Sequence, residues 1–123
     1  MTVGKIIGYM TELRGQEYDT ETLTAWLSEL EGQLIDEVVN LAEGVQVEFK
    51  PFNYNTDWDK QLSAPDRFMD VYTNYLMAKI DFHNQESERY NNDVVMYQAA
   101  YDQYAAWYIR SHKLKKSAMF SRF

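Results

Sequence analysis

A chain of 123 residues is one ordinary domain, long enough to bury a core without staples. It has no cysteine, which excludes disulfides, thiolate metal sites and cysteine nucleophiles, and points to a reducing cytoplasm or a particle assembled there. Its net charge of −7, from 12 basic and 19 acidic residues, argues against nucleic acid and anionic membranes as general partners.

The pattern predicts an all-α fold of about four helices. Val3, Ile6, Ile7, Met10 and Leu13 recur at helical spacing and predict a first helix over 3–14, closed by Gly15. Asp19 or Thr20 then caps a second helix. Its stripe is Leu23, Leu27, Leu30, Leu34, Val38 and Leu41, widened by Trp26 and Ile35, and the helix is expected to end near Gly44. Glu21 lies in its first turn, where the helix dipole favours an anion. Gly32 in its middle costs up to about 1 kcal/mol against alanine, and the close approach of another backbone would be a reason to keep it.

Residues 45–62 change character. Val45, Val47 and Phe49 alternate with polar residues, Pro51 interrupts, and Phe52, Tyr54 and Trp58 alternate again. This reads as a small β-hairpin or an extended loop inserted between helices, and its length points to a role of its own. A third helix is expected to open at Ser63-Ala64-Pro65-Asp66, with Ser63 as cap. Phe68, Val71, Tyr72, Tyr75, Leu76, Met77, Ala78, Ile80 and Phe82 make it apolar on more than one side, the mark of a central helix. A fourth helix, from about Glu86 to Arg110, carries Tyr90, Val94, Tyr97, Tyr101, Tyr104 and Tyr108 at strict four-three spacing. That aromatic seam is flanked by Trp107 and by alanines that permit close helix approach. At 1.5 Å per residue this helix is roughly 36 Å long.

Residues 111–123 form a basic tail. Five basic residues (Arg110, Lys113, Lys115, Lys116 and Arg122) and no acidic one fall within 110–123, leaving seven basic against all 19 acidic residues in the body. The tail also carries Leu114, Met119, Phe120 and Phe123. Bulky apolar residues among cations read as a peptide that docks into an acid-rimmed groove, ahead of a merely solubilising end. Nucleic acid is the second option, since lysine and phenylalanine serve phosphate and base.

Chemical motifs are sparse. His83 and His112 are the only histidines and lack a helical zinc partner; the ordinary role of His83 is to face the dipole at a helix C-terminus. The run from Asn53 to Asp59 alternates oxygen side chains as a calcium loop does, but such a loop needs a glycine and a glutamate where Trp58 and Ala64 stand. Glu86, Glu88, Arg89 and Asp93 read as a charged helix start, and Ser117 and Ser121 have no base or oxyanion motif near them. The five glycines are scattered, so there is no phosphate loop. No enzyme activity, metal or cofactor is expected. No apolar run approaches the roughly 18 residues of a membrane span, and Met1–Lys5 has no signal-peptide character.

Two segments carry a resemblance. One comprises Trp26, Leu30, Glu31, Gly32, Leu34, Glu37 and Val38. The other comprises Leu62, Ala64, Pro65, Asp70, Val71, Tyr72, Tyr75, Leu76, Ala78, Ile80, Asp81, Asn84, Glu86, Arg89, Tyr90 and Asn91, continuing to Tyr101, Trp107 and Arg110. Over roughly residues 20–110 this pattern resembles the head-tail connector proteins, also called adaptor or head-completion proteins, of long-tailed bacteriophages and prophages. The resemblance implies a helical connector domain over 1–110, with 45–62 as an excursion, and a docking tail over 111–123. It implies a structural virion protein of the phage neck, assembled in the host cytoplasm. Copies would form a ring, a dodecamer matching the portal, that joins the portal protein to a tail-side neck or tail-completion protein. DNA would pass through its channel without sequence-specific binding.

By position, the resemblance implies that the tail reaches the portal through Lys113, Leu114, Lys115, Lys116, Met119, Phe120, Arg122 and Phe123. Phe49, Phe52, Tyr54 and Trp58 would meet a neighbouring subunit, the channel or the tail side. The alternative is a small phage-encoded binding or regulatory module that uses its basic tail on nucleic acid.

Overall fold

A computed structural model of the chain describes residues 1–117. Four helices run in order: α1 (Val3–Arg14), α2 (Thr20–Glu37), α3 (Met69–His83) and α4 (Ser87–Ser111). Short 3-10 turns occupy Val39–Leu41 and Asp66–Phe68. The fold is all-α.

Local chemistry sets the helix ends. The Thr2 hydroxyl accepts from the Lys5 amide and the Asp19 carboxylate from the Thr22 amide, each relieving an unpaired donor of a first turn. Gly15 ends α1 at φ +67, a conformation that strains any residue with a Cβ. Two expectations fail here. The second helix stops at Glu37 rather than near Gly44, because Asn40 turns to the following segment. Its side-chain amide donates to the Val47 carbonyl at 3.0 Å, and its side-chain oxygen accepts from the Val47 amide at 2.8 Å. Ser63 does not cap the third helix. It serves a buried carboxylate, and α3 starts after the 3-10 turn with no side-chain cap.

α3 is the central helix, packed against α1, α2 and α4, with Val71, Tyr72, Leu76 and Ile80 buried. The core joins these to Val3, Ile6, Ile7 and Met10 of α1, to Leu23, Leu27, Leu30 and Leu34 of α2, and to Tyr104 and Tyr108 of α4. The N-terminal part of the α4 seam lies against α3, while Tyr101 bonds to Glu37 of α2 and Tyr108 to the Val39 carbonyl, and only its C-terminal half is buried. Tyr97 meets Tyr75 edge-on at 5.3 Å, and Tyr90 reaches the exposed ring of Phe82. Of the flanking alanines, Ala105 is buried and Ala100 half-buried, while Ala99 and Ala106 face outward.

Segment 45–62 is an extended loop with no regular strand. Its last part lies against the start of α1: the Val3 and Gly4 amides donate to the carbonyls of Lys60 and Trp58, at 3.0 and 2.9 Å. The loop therefore satisfies two first-turn donors of α1 that the helix cannot satisfy itself.

Candidate interaction surfaces

The four aromatic side chains expected in an interface divide into two pairs. Phe49 and Phe52 are half-buried, meet edge to face at 5.2 Å, and hold the loop onto α2. The Phe52 amide donates to the Ser28 hydroxyl at 2.9 Å. A Cβ on Gly32 would lie 3.2 Å from the Phe49 ring, so the approach that favours glycine there is made by an aromatic side chain, not by a backbone. Tyr54 and Trp58 are the presented pair, each 38% exposed.

The basic tail divides likewise. Lys113, Leu114 and Lys115 are bound to the domain. The Glu43 amide donates to the Lys113 carbonyl at 2.7 Å, the Lys115 amide donates to the Leu41 carbonyl at 2.9 Å, and Leu114 bridges Ala42. The Lys113 ammonium pairs with Glu43 at 3.2 Å, and that of Lys115 donates to the Gln46 side chain at 3.0 Å. Lys116 is exposed. Met119, Phe120, Arg122 and Phe123 lie outside the described residues. Contacts with the domain thus extend past residue 111, to the turn that follows α2.

Apolar side chains left exposed fall on separate parts of the chain. Tyr9 and Leu13 project from α1 and Val47, Tyr54 and Trp58 from the loop, while Phe82 ends α3 and Val95 and Met96 lie on α4. Val95, at 68% exposed, has no place in the aromatic seam; its position one residue past Val94 already puts it off that face.

Two polar networks lie beneath these surfaces, and no sequence motif announces either. Glu31 is 2% exposed and accepts from the Tyr72 hydroxyl at 2.8 Å and from the Ser63 amide and hydroxyl at 2.8 and 3.1 Å. Tyr72 in turn accepts from the Ala64 amide at 3.0 Å. Burial raises the Glu31 pKa, and the bonds from Tyr72 and Ser63 oppose the rise. The available signal was a glutamate lodged between Leu27, Leu30 and Leu34 on the apolar stripe. The second network joins three helices. Arg14 of α1 donates to Asp81 of α3 at 2.8 Å, and Asp93 of α4 adjoins Asp81 with one oxygen buried and without a partner among the described residues. Burial, then the neighbouring Asp81 carboxylate, raises Asp93 to about 7. Burial pushes Asp81 the same way, but the bond from Arg14 and the proton shared with Asp93 overcome it and hold its pKa low.

Both histidines lie against aromatic rings. His83 stacks on Trp26 with centroids 5.1 Å apart, and His112 stacks on Tyr108 at 3.8 Å. Among the described residues no three histidine, aspartate or glutamate side chains converge to hold a metal ion, and no helix is long and apolar enough to cross a membrane. No protein-family model, curated protein or solved structure matches the chain.

Proposed function

We propose that this chain is a structural subunit of the neck of a long-tailed bacteriophage, one copy of a ring, dodecameric like the portal, that joins the portal protein to tail-side components in the virion. The sequence resemblance over roughly residues 20–110 supplies the family. The observation that carries the reading is the division of exposed apolar side chains between two sets of elements, α1 with the 45–62 loop and the α3–α4 arm. A head-to-tail ring needs two different patches on each copy, one for each neighbour. The acidic body fits a channel through which DNA passes without sticking, since phosphate contacts would retard it. In this reading Tyr54 and Trp58 meet a neighbour or the tail side, and the tail beyond Lys116 meets the portal.

The alternative is a basic arm on nucleic acid, for which Lys113 stays 84% exposed beside Glu43 while Lys115 is held by Gln46. Co-expression with the portal protein of a long-tailed phage tests the choice. The expected outcome is a complex in which this chain forms a ring visible by electron microscopy, and loss of that complex when residues 118–123 are removed. A chain that leaves portal rings bare, yet shifts DNA mobility in a salt-dependent way, would establish the nucleic-acid reading instead.

A further inference from the structure

An open groove of about 790 Å³ runs between α2 and residues 46–49. Its apolar surface comes from Ile35, Val47 and Phe49, and its rim carries Asp36, Glu37 and Glu48. None of the lining residues is basic. Glu37 is occupied by the Tyr101 hydroxyl, but Asp36 and Glu48 form no ion pair among the described residues. Two free carboxylates beside exposed Val47 describe a site for an apolar peptide with a cation.

The chain delivers such a peptide to this place. Lys115 is fixed to Leu41 through its amide and to Gln46, a residue of the groove, through its ammonium. Beyond Ser117 follow Ala118, Met119, Phe120, Ser121, Arg122 and Phe123. Six residues span up to about 20 Å when extended. We infer that residues 118–123 dock in the groove of their own chain, with Met119 and Phe120 on the apolar surface and Arg122 between Asp36 and Glu48. A tether this short gives an effective concentration on the order of millimolar, so a contact too weak to hold a free peptide stays closed. Docking covers an adhesive segment until a partner with a better groove displaces it. The inference rests on the groove and the charges alone and stands or falls independently of the neck reading.

The test is amide NMR on the full-length chain. Phe120→Ser and Arg122→Glu should each shift the amide signals of Gly32, Asp36 and Val47, at every protein concentration, and leave those of α1 in place as the control for folding. The reciprocal charge reversals, Asp36→Lys with Glu48→Lys, should shift the signals of Phe120 and Phe123 towards those of a free peptide of the same sequence. Because the chain has no cysteine, Asp36→Cys with Ser121→Cys should also close a disulfide within one chain on mild oxidation. Groove signals that ignore the tail substitutions would overturn the inference. So would groove signals that move on dilution, or disulfides that form between chains, since the occupant would then be the tail of a second copy.

Discussion

Tyr72 and Tyr104 are both fully buried, and their hydroxyls have opposite consequences. The Tyr72 hydroxyl joins Glu31 to the Ala64 amide, while that of Tyr104 has no partner among the described residues. Tyr72→Phe should therefore cost about 2–3 kcal/mol in urea denaturation, because it strands a buried carboxylate oxygen and an amide. Tyr104→Phe should cost less than Tyr72→Phe in the same assay, since among the described residues the Tyr104 hydroxyl holds no hydrogen bond to lose. The carboxyl pair adds a pH dependence. Asp93 binds its proton more tightly in the folded state than in the unfolded chain. Its contribution to stability is complete below the ordinary carboxyl pKa of about 4. That contribution is lost as the pH rises through about 7. Asp81 works in the opposite sense, its contribution present above the ordinary carboxyl pKa and lost as the pH falls through its lowered value. Melting temperatures from pH 4.5 to 8.5 should decline towards the alkaline end, and Asp93→Asn should reduce that decline. An unchanged slope in the variant would assign it to other groups, Glu31 first, whose pKa burial also raises.

Among the elements, the loop of 45–62 owes its course to two glycines that it covers. A Cβ on Gly4 would stand 3.0 Å from the Trp58 carbonyl oxygen, a backbone atom that the Gly4 amide also holds at 2.9 Å. Gly4→Ala should cost about 1–3 kcal/mol, the range for overpacking, and should speed hydrogen exchange at Gly4 and Val3. Gly32 is different, because its neighbour is a half-buried ring at 3.2 Å that can shift by a few tenths of an ångström. There the gain of about 1 kcal/mol in helix propensity offsets the crowding, and Gly32→Ala should change stability little in the same assay. The helices themselves were legible. The stripes of α1, α2 and α3 and the bounds of α1 and α4 follow from periodicity and caps, because those are local properties of the chain. The early end of α2 and the late start of α3 were not legible. Asn40 finds its partner in Val47, and Ser63 finds its own in Glu31, 32 residues away in sequence.

For the whole molecule, the decisive finding is that the chain closes on itself at both ends of the domain. The N-terminal segment lies against the loop through Met1, Val3 and Gly4, and residues 113–115 lie against 41–43. Ending the chain at Ser111 should lower its stability by about 2 kcal/mol relative to a chain ending at Ser117, since two backbone hydrogen bonds and the Leu114 contact are lost. Thermal denaturation of the two truncated chains checks this. Equal melting temperatures would mean that residues 112–117 add nothing to the fold. Residues 113–115 thus touch the domain although they lie past residue 111, where the sequence pattern alone draws its edge.

The sequence by itself determined the fold class, the order and registers of the helices, the central place of α3 and the contrast between an acidic body and a basic end. These follow from periodicity, capping and charge, which act between residues close in the chain. Only the tertiary structure decided which of the aromatic residues are presented and which are consumed. Phe49 and Phe52 are taken by α2 and Tyr104 and Tyr108 by the core, while Tyr54, Trp58, Phe82 and Val95 are left outside. It likewise decided that Glu31, Asp81 and Asp93 belong to buried networks, and that the first lysines of the tail are tied to the body. A side chain's composition is the same whether it is buried or exposed. What separates the two is a neighbour supplied by a distant part of the chain, and that neighbour exists only once the helices have packed.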